Sequence, residues 1–421
     1  MTSERQAYIY IQLPGTLETV PAALLKVEQL RDGTHVGRFR YGDRYLDRPE
    51  AVALDPFELP LGKTVYEFTK LRGIPGAVRD ASPDAWGRRV IENKLDRAPA
   101  DLVEIDYLLN GPQDGAGNLS FGLKAEPPAT TRQYNRTHQL GDLIAAAEAI
   151  EEGKRVPQYI LEQLDPGTSM GGAHPKATIE DDNALWLGKF PEKADRCNLQ
   201  RIEYATLELA RKCGLNVCTA RIEPIAGRDV LMLQRFDRQH AEGGYFRLGL
   251  VSGLTMLGAD DNPLVRDDWS YLLLADNLRR WSEKPERDCA ELFRRVVFNA
   301  AVTNDDDHPR NHAAIRSGRG WRLSPAYDLV PKPMVAIEKR NLALVVGRYG
   351  RTASIYNIAS DCARFGVTPE AARQEIDTIV AVVRGWREHF QACGVSPKDI
   401  DYIASAFLPP CFFQEQPVGA V

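Results

Sequence analysis

Three consecutive aspartates followed closely by an asparagine form the part of the sequence best suited to chemistry. Residues 304–311 read NDDDHPRN. Transfer of a phosphoryl group needs a carboxylate that orients the acceptor hydroxyl and receives its proton, and an amide oxygen that holds a metal ion; an aspartate and an asparagine five residues later supply both. Asp306 and Asn311 have this spacing, whereas Asp305 and Asp307 do not. The pattern predicts Asp306 as a catalytic base and Asn311 as a Mg²⁺ ligand, although a solvated acidic turn explains any acidic cluster taken alone.

A second metal ligand is expected a short distance downstream. Residues 323–328 read LSPAYD, an apolar approach that ends in an acid. A phosphoryl-transfer site holds Mg²⁺ with an aspartate in such a segment, soon after the catalytic loop. Asp328 is therefore the second predicted Mg²⁺ ligand, and by itself it would be an ordinary turn residue.

A glycine-rich stretch, residues 167–176, reads GTSMGGAHPK and offers backbone N–H groups to phosphates. It is neither a GxGxxG nor a Walker A sequence, so alone it is a weak signal. The residues predicted to contact ATP here are Ser169, Met170, Gly171, Gly172 and Ala173. Lys189, on the next strand-like run, is the predicted phosphate lysine, and Glu203, early in the following helix, is its predicted ion-pair partner. An exposed strand lysine and a surface glutamate are the plainer interpretations.

Residues 234–238, QRFDR, close a strand and occupy the position of a hinge. We predict that Gln234, Phe236 and Asp237 line an adenine and ribose pocket, with Asp237 accepting a ribose hydroxyl. An edge-strand ion pair is an equally good interpretation of Asp237 taken alone. The order of these signals, from the glycine loop through the lysine, helix glutamate and hinge to the catalytic aspartate and metal ligands, is the order along a two-lobed kinase.

The elements that must position these residues begin with strands. Short strands are predicted over residues 6–62, including two strands around the turn at Tyr41-Gly42-Asp43. Two helices are predicted to follow, near 64–72 and 82–96. The second would begin at Ser82-Pro83-Asp84, with a capping residue and then a proline at the first helical position.

In the rest of the chain, predicted helices and strands alternate up to about residue 267, and the pattern is then mostly helical. Further helices are predicted at 101–109, 138–153, 156–164 and 200–213, and strands at 176–180, 184–190, 218–225 and 229–235. From about residue 267 the pattern is mostly helical, most clearly over 286–301 and 369–392. The predicted fold class is therefore α+β, a small β-rich lobe followed by a large, mainly α-helical lobe.

The composition limits the class of protein. The 421 residues include 43% apolar and 26% charged side chains, with a net charge of −5, which argues against direct nucleic-acid binding as the main activity. The seven cysteines show no CxxC spacing, so neither a zinc site nor a disulfide framework is expected. No apolar run is long enough to span a bilayer and no secretory signal is evident, so we expect a cytoplasmic protein without membrane contact.

Four motifs together resemble the HipA family of Ser/Thr kinases, the toxin halves of HipBA-type toxin–antitoxin pairs. They are SMGGAHPK at 169–176, RFDR at 235–238, DDHPRN at 306–311 and SPAYD at 324–328. The segments 39–61 and 83–89 also look like the N-terminal subdomain of the family. The resemblance implies a two-lobed protein-kinase-like fold, divided into an N-terminal subdomain (1–125), a kinase N-lobe-like region (138–265), a helical catalytic lobe (266–405) and a tail (406–421).

The same resemblance implies ligands and partners. ATP and Mg²⁺ would be the cofactors, and His308 of the catalytic loop would join the ATP contacts. Ser169 would be autophosphorylated, and its phosphate would switch the kinase off because it adds negative charge inside the nucleotide loop. The expected partner is a helix-turn-helix antitoxin bound to DNA as a complex, with little direct nucleic-acid binding by this chain. The expected substrate is a translation factor such as an aminoacyl-tRNA synthetase.

Three other functions stay open on the sequence alone. A metal-dependent hydrolase built on Asp305–Asp307 would need further ligands; His308 and His312 are four residues apart, but no HExxH-like partner exists. A catalytically silent co-repressor or scaffold would be expected to lack one of the key lysine, aspartate or asparagine residues, and all are present. A small-molecule kinase would carry the same apparatus, and the sequence does not separate it from a protein kinase.

Overall fold

The computed structural model describes residues 3–112, 114–128, 134–164, 174–318, 320–334 and 340–414. The chain forms two compact units, each assembled from three stretches of sequence. The first unit comprises Met1–Glu192, Gln234–Asp261 and Ala313–Arg319, and the second comprises Lys193–Leu233, Asn262–His312 and Gly320–Val421. The four-part division predicted above, by contrast, uses contiguous segments, and it stays a prediction.

The strands have the following bounds in chain order. They are β1 (Ser3–Gln12), β2 (Thr19–Gln29), β3 (His35–Tyr41), β4 (Tyr66–Phe68), β5 (Leu119–Gly122), β6 (Asn135–Arg136), β7 (Lys176–Asp181), β8 (Ala184–Lys189), β9 (Ala220–Ile225), β10 (Arg228–Gln234), β11 (Arg238–Ala241), β12 (Gly244–Arg247), β13 (Gly249–Ser252), β14 (Ala313–Ser317) and β15 (Gly320–Leu323).

The α-helices are likewise numbered along the chain. They are α1 (Asp43–Leu46), α2 (Gly76–Asp80), α3 (Ala85–Leu95), α4 (Glu104–Asn110), α5 (Leu140–Glu151), α6 (Gln158–Gln163), α7 (Leu199–Lys212), α8 (Gly253–Leu257), α9 (Tyr271–Trp281), α10 (Pro285–Ala301), α11 (Ile355–Ala359), α12 (Pro369–Val383), α13 (Trp386–Ala392) and α14 (Pro397–Ile403). Within the described ranges, no helix is both long and apolar enough to cross a lipid bilayer.

A five-stranded antiparallel sheet, in the order β4-β3-β2-β1-β5, organises the first unit. The pairing of β1 with β2 runs from Ser3 opposite Gln29 to Gln12 opposite Thr19. Its buried face belongs to a core that includes Ile9, Ile11, Leu25, Phe39, Ile105 and Leu108. Residues 13–27 form the turn after β1 and most of β2.

Two elements predicted near the start of the chain are wrong. The turn after Tyr41 leads into the short helix α1 and not into a strand. Residues 64–72 contain β4 and part of a 3₁₀ turn, Lys70–Gly73, in place of a helix. Leu71 and Arg72 have φ angles of 49° and 57°, in the left-handed region that a right-handed helix excludes.

Helix α3 starts at a different cap from the predicted one. Its N-cap is Asp84, whose carboxylate accepts a hydrogen bond from the Gly87 N–H, and Ser82 lies before the helix. The other carboxylate oxygen of Asp84 forms a buried ion pair with Lys176 Nζ at 2.5 Å. Trp86 Nε1 donates to the backbone carbonyl of Lys176. The start of β7 is therefore fastened to the start of α3.

Neighbouring strands of the first unit confirm the predicted hairpin at 176–190. Strand β6 runs parallel to β7, and β7 pairs antiparallel with β8, with Lys176 opposite Lys189. The connection is made by Asp182 and Asn183, whose φ angles are 46° and 57°. Two successive left-handed residues form the type of turn whose twist suits a two-residue hairpin, and Asn and Asp tolerate this conformation.

The second unit is mainly helical. Helix α7 is capped by Asn198, whose side chain accepts from the Arg201 N–H, and the following β9–β10 hairpin is antiparallel. The helix predicted over 369–392 is interrupted: α12 and α13 are separate, with Gly385 as the N-cap of α13. Glycine is a poor helix former, which favours a break at this position.

The described residues beyond α14 pack against earlier elements of the second unit, to which they belong. Phe407 stacks on Trp386 with ring centroids 3.9 Å apart and planes 4° apart. The Leu408 N–H donates to the Ala301 carbonyl at 2.7 Å. This segment therefore covers the end of α10, immediately ahead of the three consecutive aspartates.

Candidate active site

A row of buried polar side chains along α10 supports the candidate site. Asp288, Glu291, Arg295 and Asn299 are all buried, on a helix whose other buried residues are mostly apolar. Their spacing of three or four residues places them along one face of the helix. Burial of charged groups is costly unless they are paired and hydrogen-bonded, so each must hold a specific partner.

The first residues of this row bind the segment that precedes Asp328. The Asp288 carboxylate accepts from Arg322 Nη2 at 2.8 Å and from the Leu323 N–H at 2.9 Å. Arg295 Nη2 donates to the Ser324 carbonyl at 2.6 Å. Helix α10 thereby fixes the backbone of β15 and of the segment that leads to the predicted metal ligand.

The last residue of the row holds the catalytic loop through Asp307. Asp307 is 1% exposed, and its Oδ2 accepts from Asn299 Nδ2 at 2.7 Å, from His312 Nε2 at 2.9 Å and from the Tyr271 hydroxyl. Burial, followed by the nearby Asp307 carboxylate, raises the pKa of Tyr271 well above its ordinary value, so the phenol stays protonated and donates. Asp307 is a structural anchor of the loop.

Asp306 precedes this anchor in the chain, and its carboxylate is accessible. Its side chain is 74% exposed, so an acceptor hydroxyl can approach it. Asp305 is largely covered, and burial raises the pKa of its carboxyl group above the ordinary value despite the opposing effect of Lys332. Of the three consecutive aspartates, Asp306 alone combines the predicted spacing with an accessible carboxylate.

One hydrogen bond links the chain neighbours of the two predicted metal ligands, and another involves Asn311 itself. Asn311 Nδ2 donates to the Asp306 carbonyl at 3.2 Å, which directs the side-chain oxygen of Asn311 away from that bond. The Tyr327 hydroxyl donates to the Arg310 carbonyl at 2.6 Å and so links the residue before Asp328 to the residue before Asn311. An amide oxygen and carboxylates are the oxygen donors that Mg²⁺ takes, so these residues fit the predicted ion.

Strained backbone occurs at both ends of the candidate site. Asp328 has φ of 58°, and Thr303, just before the three aspartates, has φ of 50°. A β-branched residue in this region is a genuine outlier, and such strain concentrates at functional sites. Thr303 keeps this conformation because its hydroxyl donates to the Ala406 carbonyl at 2.5 Å and accepts from Arg340 Nη1 at 2.6 Å.

His308, predicted as an ATP contact, is half-buried in the catalytic loop. Its ring meets Trp269 edge to face, with centroids 4.2 Å apart, and its Nδ1 accepts from the Arg310 N–H. Burial lowers the pKa of His308 to about 4, against the opposite effect of Asp306 and Asp307. The imidazole is therefore neutral at pH 7, and its contact with ATP stays a prediction.

The hinge residues lie in the first unit around a buried ion cluster. Asp237 is fully buried, and its carboxylate accepts from Arg235, from Arg238 Nη1 at 2.7 Å and from the Gly117 N–H at 2.8 Å. Burial alone would raise the pKa of Asp237, but the two arginines lower it below its ordinary value. The ion pair considered from the sequence is thus present, and the ribose contact of Asp237 stays a prediction.

The remaining predicted nucleotide contacts are distributed over both units. Lys189, buried at the end of β8, belongs to the first unit, as do the partly exposed Gln234 and Phe236. Glu203 is buried on α7 in the second unit, so its pairing with Lys189 stays a prediction. The predicted loop contacts Ser169, Met170, Gly171, Gly172 and Ala173 lie outside the described residues.

Several residues of the site were not found from the sequence. Tyr271 and Asn299 were not singled out, and His312 was considered only as a metal ligand. The spacing of polar residues along α10 is a readable signal, because four of them recur every three or four residues on one face of the helix. Nothing in the sequence marks Tyr271, which reaches Asp307 from another helix.

Comparison with known proteins shows the family of the chain. Residues 168–386 match the family model described as the HipA-like C-terminal domain, which is more than half of the chain. The chain belongs to the HipA family. The resemblance based on the four motifs is thereby confirmed, and the matched segment includes the catalytic loop and both predicted metal ligands.

Two relatives of this HipA family member are named as kinases. The chain is 26% identical over 352 residues, 75% of its length and 80% of the relative's, to a Sinorhizobium fredii protein named "Putative kinase Y4mE". It is 25% identical over 169 residues to the serine/threonine-protein kinase toxin HipA of Shewanella oneidensis, over 37% of this chain and 39% of that protein.

A solved structure supports the fold. The Shewanella oneidensis MR-1 complex of HipA, HipB and operator DNA contains a chain that matches with a TM-score of 0.68, at 17% sequence identity and over 94% of each chain. The predicted fold class is confirmed, with a β-rich N-terminal region and a helical C-terminal part.

Proposed function

We propose that this HipA family member is an ATP- and Mg²⁺-dependent Ser/Thr protein kinase. The observation that carries the proposal is the catalytic loop, in which the accessible Asp306 carboxylate lies between the buried anchor Asp307 and the largely covered Asp305. The hydrogen bond from Tyr327 to Arg310 adds the metal segment to the same place. This arrangement provides a proton acceptor next to a set of hard oxygen ligands, as phosphoryl transfer requires.

Each site residue of the second unit has a defined role in this proposal. Asp306 orients the acceptor hydroxyl and takes its proton as the oxygen begins to bond to phosphorus. Asn311 and Asp328 hold Mg²⁺, which supplies charge neutralisation to the phosphates when bound. Asp307 keeps the loop rigid, because three donors hold its carboxylate in place.

The first unit contributes the proposed nucleotide contacts. Lys189 is assigned to the ATP phosphates, and Gln234, Phe236 and Asp237 to the adenine and ribose. Ser169, in the glycine loop, is the proposed site of autophosphorylation. A phosphate there would repel the nucleotide phosphates and compete for the same backbone donors, so it should inhibit the kinase.

The biological role follows from the family. We propose that the protein is the toxin of a toxin–antitoxin pair, that a helix-turn-helix antitoxin carries it to DNA, and that it acts in the cytoplasm on a translation factor such as an aminoacyl-tRNA synthetase. The names of the relatives support this role: one is a kinase toxin, and a structure with the same fold is a complex of HipA, HipB and operator DNA.

Transfer of label from radioactive ATP tests the proposed activity. Wild-type protein with Mg²⁺ should label itself and dephosphorylated casein, and Asp306→Asn should abolish this transfer while nucleotide binding survives, because the carboxylate acts mainly in the transition state. Asp305→Asn is the neighbouring control. If activity survives in Asp306→Asn but disappears in Asp305→Asn, the catalytic base is Asp305 and our assignment is wrong. An inactive wild type would overturn the proposed kinase activity.

Mass spectrometry tests the proposed modification. Purified wild-type protein should carry one phosphate on Ser169, and the Asp306→Asn protein, expressed and purified in the same way, should carry none. A phosphate on the neighbouring Thr168 instead would contradict the assignment. Phosphorylated protein that binds ATP as tightly as the unmodified form would contradict the inhibitory role.

A further inference from the structure

The Asp306 carboxylate has a cationic partner that the sequence motifs do not include. Lys332 Nζ lies 3.1 Å from Asp306 Oδ2 and 3.6 Å from Asp305 Oδ1. Lys332 follows the metal segment and stands four residues after Asp328. In the part of the second unit that the structure describes, it is the one cation within ion-pair distance of Asp306.

The backbone of Lys332 is fastened to the start of the catalytic loop. Its N–H donates to the Thr303 carbonyl at 3.0 Å. Thr303 is itself held by bonds to Ala406 and Arg340 and is only 2% exposed. The side chain of Lys332 thus extends from a rigid point, and it remains 47% exposed.

The charges around Asp306 make such a cation useful. Asp305 and Asp306 lie next to each other, and the triphosphate of ATP would bring further negative charge to the same place. Asp307 is already satisfied by hydrogen bonds from Tyr271, Asn299 and His312. The ammonium of Lys332 lies within ion-pair distance of the two other carboxylates, those of Asp305 and Asp306, and its side chain is 47% exposed.

We propose that Lys332 is a positioning residue for phosphoryl transfer, a role that rests on the kinase activity proposed above. Its ammonium holds the Asp306 carboxylate in one orientation toward the acceptor hydroxyl and offsets the charge of Asp305 and Asp306. In the step itself, the acceptor oxygen bonds to the γ-phosphorus while the bond from that phosphorus to the ADP oxygen breaks. ADP leaves with the electron pair, the hydroxyl proton passes to Asp306, and Lys332 is unchanged.

Folding stability and turnover distinguish a positioning role for Lys332 from a purely structural one. Pairs between exposed side chains contribute little to folding stability, because water screens them and two flexible side chains must be ordered. Loss of Lys332 should therefore leave thermal unfolding nearly unchanged. A positioning role predicts a loss of turnover in a protein that remains folded and binds nucleotide.

Matched substitutions separate these roles. Lys332→Met keeps the length of the side chain and removes its charge, Lys332→Arg keeps the charge, and Lys398→Met removes an exposed lysine from α14 as a control. Transfer from radiolabelled ATP to dephosphorylated casein is measured at saturating and limiting Mg²⁺-ATP. We expect kcat to fall by about 10- to 100-fold in Lys332→Met, as for misplacement of a catalytic group. The KM for ATP should change far less, Lys332→Arg should restore part of kcat, and Lys398→Met should match the wild type.

A double substitution tests whether Lys332 acts through Asp306. Groups that work as one unit are strongly non-additive. The residual transfer of the Asp306→Asn protein, followed with excess enzyme over long incubations, should therefore not fall further when Lys332→Met is added. A Lys332→Met protein with the kcat of the wild type overturns the positioning role while the kinase stands. A further loss in the double variant equal to that in the single variant also overturns it. Absence of transfer by the wild type overturns both proposals.

Discussion

Substitution of Asp307 by asparagine should destabilise the second unit, although the same change at the adjacent Asp306 should not. The carboxylate of Asp307 is 1% exposed and accepts three hydrogen bonds on Oδ2, while its Oδ1 has no hydrogen-bond partner among the described residues. Asparagine is nearly isosteric. It keeps one oxygen for the three donors but removes the charge, and it places an NH₂ group where no acceptor is available.

The size of the effect follows from these two losses. Hydrogen bonds to a charged acceptor contribute about 1.5–3 kcal/mol each, against about 0.5–1.5 for neutral pairs, and an unsatisfied buried donor costs about 1–3 kcal/mol. Relief from burying a charge offsets part of the sum. We therefore expect the Asp307→Asn change to lower the free energy of unfolding by about 2–4 kcal/mol, or the Tm by roughly 5–15 °C for a unit of this size.

Thermal unfolding followed by circular dichroism measures the shift. Asp306→Asn is the matched control, because the same chemical change at a 74% exposed side chain should move the Tm by about 2 °C or less. Asp307→Ala, which leaves all three donors without an acceptor, should unfold at a lower temperature than Asp307→Asn.

Equal melting temperatures for the Asp306→Asn and Asp307→Asn proteins would refute the reasoning, since they would show that the Asp307 hydrogen bonds contribute nothing to stability. So would an Asp307→Asn protein that melts like the wild type yet transfers no phosphate. That combination would mean that the catalytic carboxylate belongs to Asp307 and that the exposed Asp306 is incidental.

Three further predictions concern stability. Burial raises the pKa of Asp55 to about 6, so the folded wild type should lose stability relative to Asp55→Asn as pH rises from about 4 to about 6. Urea unfolding at several pH values measures both free energies of unfolding, and a difference that stays constant with pH would contradict the raised pKa. Arg235→Ala removes a fully buried partner of Asp237 and should lower the free energy of unfolding by about 3–5 kcal/mol; a loss under 1 kcal/mol in urea unfolding would contradict this. Phe407→Ala removes the ring stacked on Trp386 and should cost about 3–5 kcal/mol, measured in the same way, with an unchanged unfolding midpoint as the contrary result.

Local pattern was enough to predict the elements whose reasons are local. The β7–β8 hairpin follows from two strand-like runs around Asp182-Asn183, and α7 follows from its apolar stripe and the adjacent Gly214. The failures occurred where distant parts of the chain decide. Residues 64–72 read TVYEFTKLR, and the predicted helix disregarded β-branched and aromatic residues that suit a strand. Residues 66–68 form β4, which pairs with the distant β3.

For the candidate site, too, local features could be predicted from the sequence and long-range contacts could not. The spacing of Asp306 and Asn311 is a sequence property and could be read directly. The protection of Asp307 by Tyr271, and the contact of Lys332 with Asp306, depend on the packing of separate segments and could not be read. The burial of Asp237 shows the same limit, because its surroundings include Gly117, which lies 120 residues away in the chain.

The hydrogen bond between Thr303 and Ala406 has a consequence for biosynthesis. Roughly 100 residues separate the two groups, and a ribosome adds about 5–20 residues per second from the N-terminus onward. The catalytic loop is therefore made roughly 5–20 s before the carbonyl that holds its first residue exists. Until then, Thr303 lacks the bond that helps to keep it in its strained conformation, and the loop that follows is incompletely supported. The loop that carries Asp306 thus gains its full support only after the segment around Ala406 has been made.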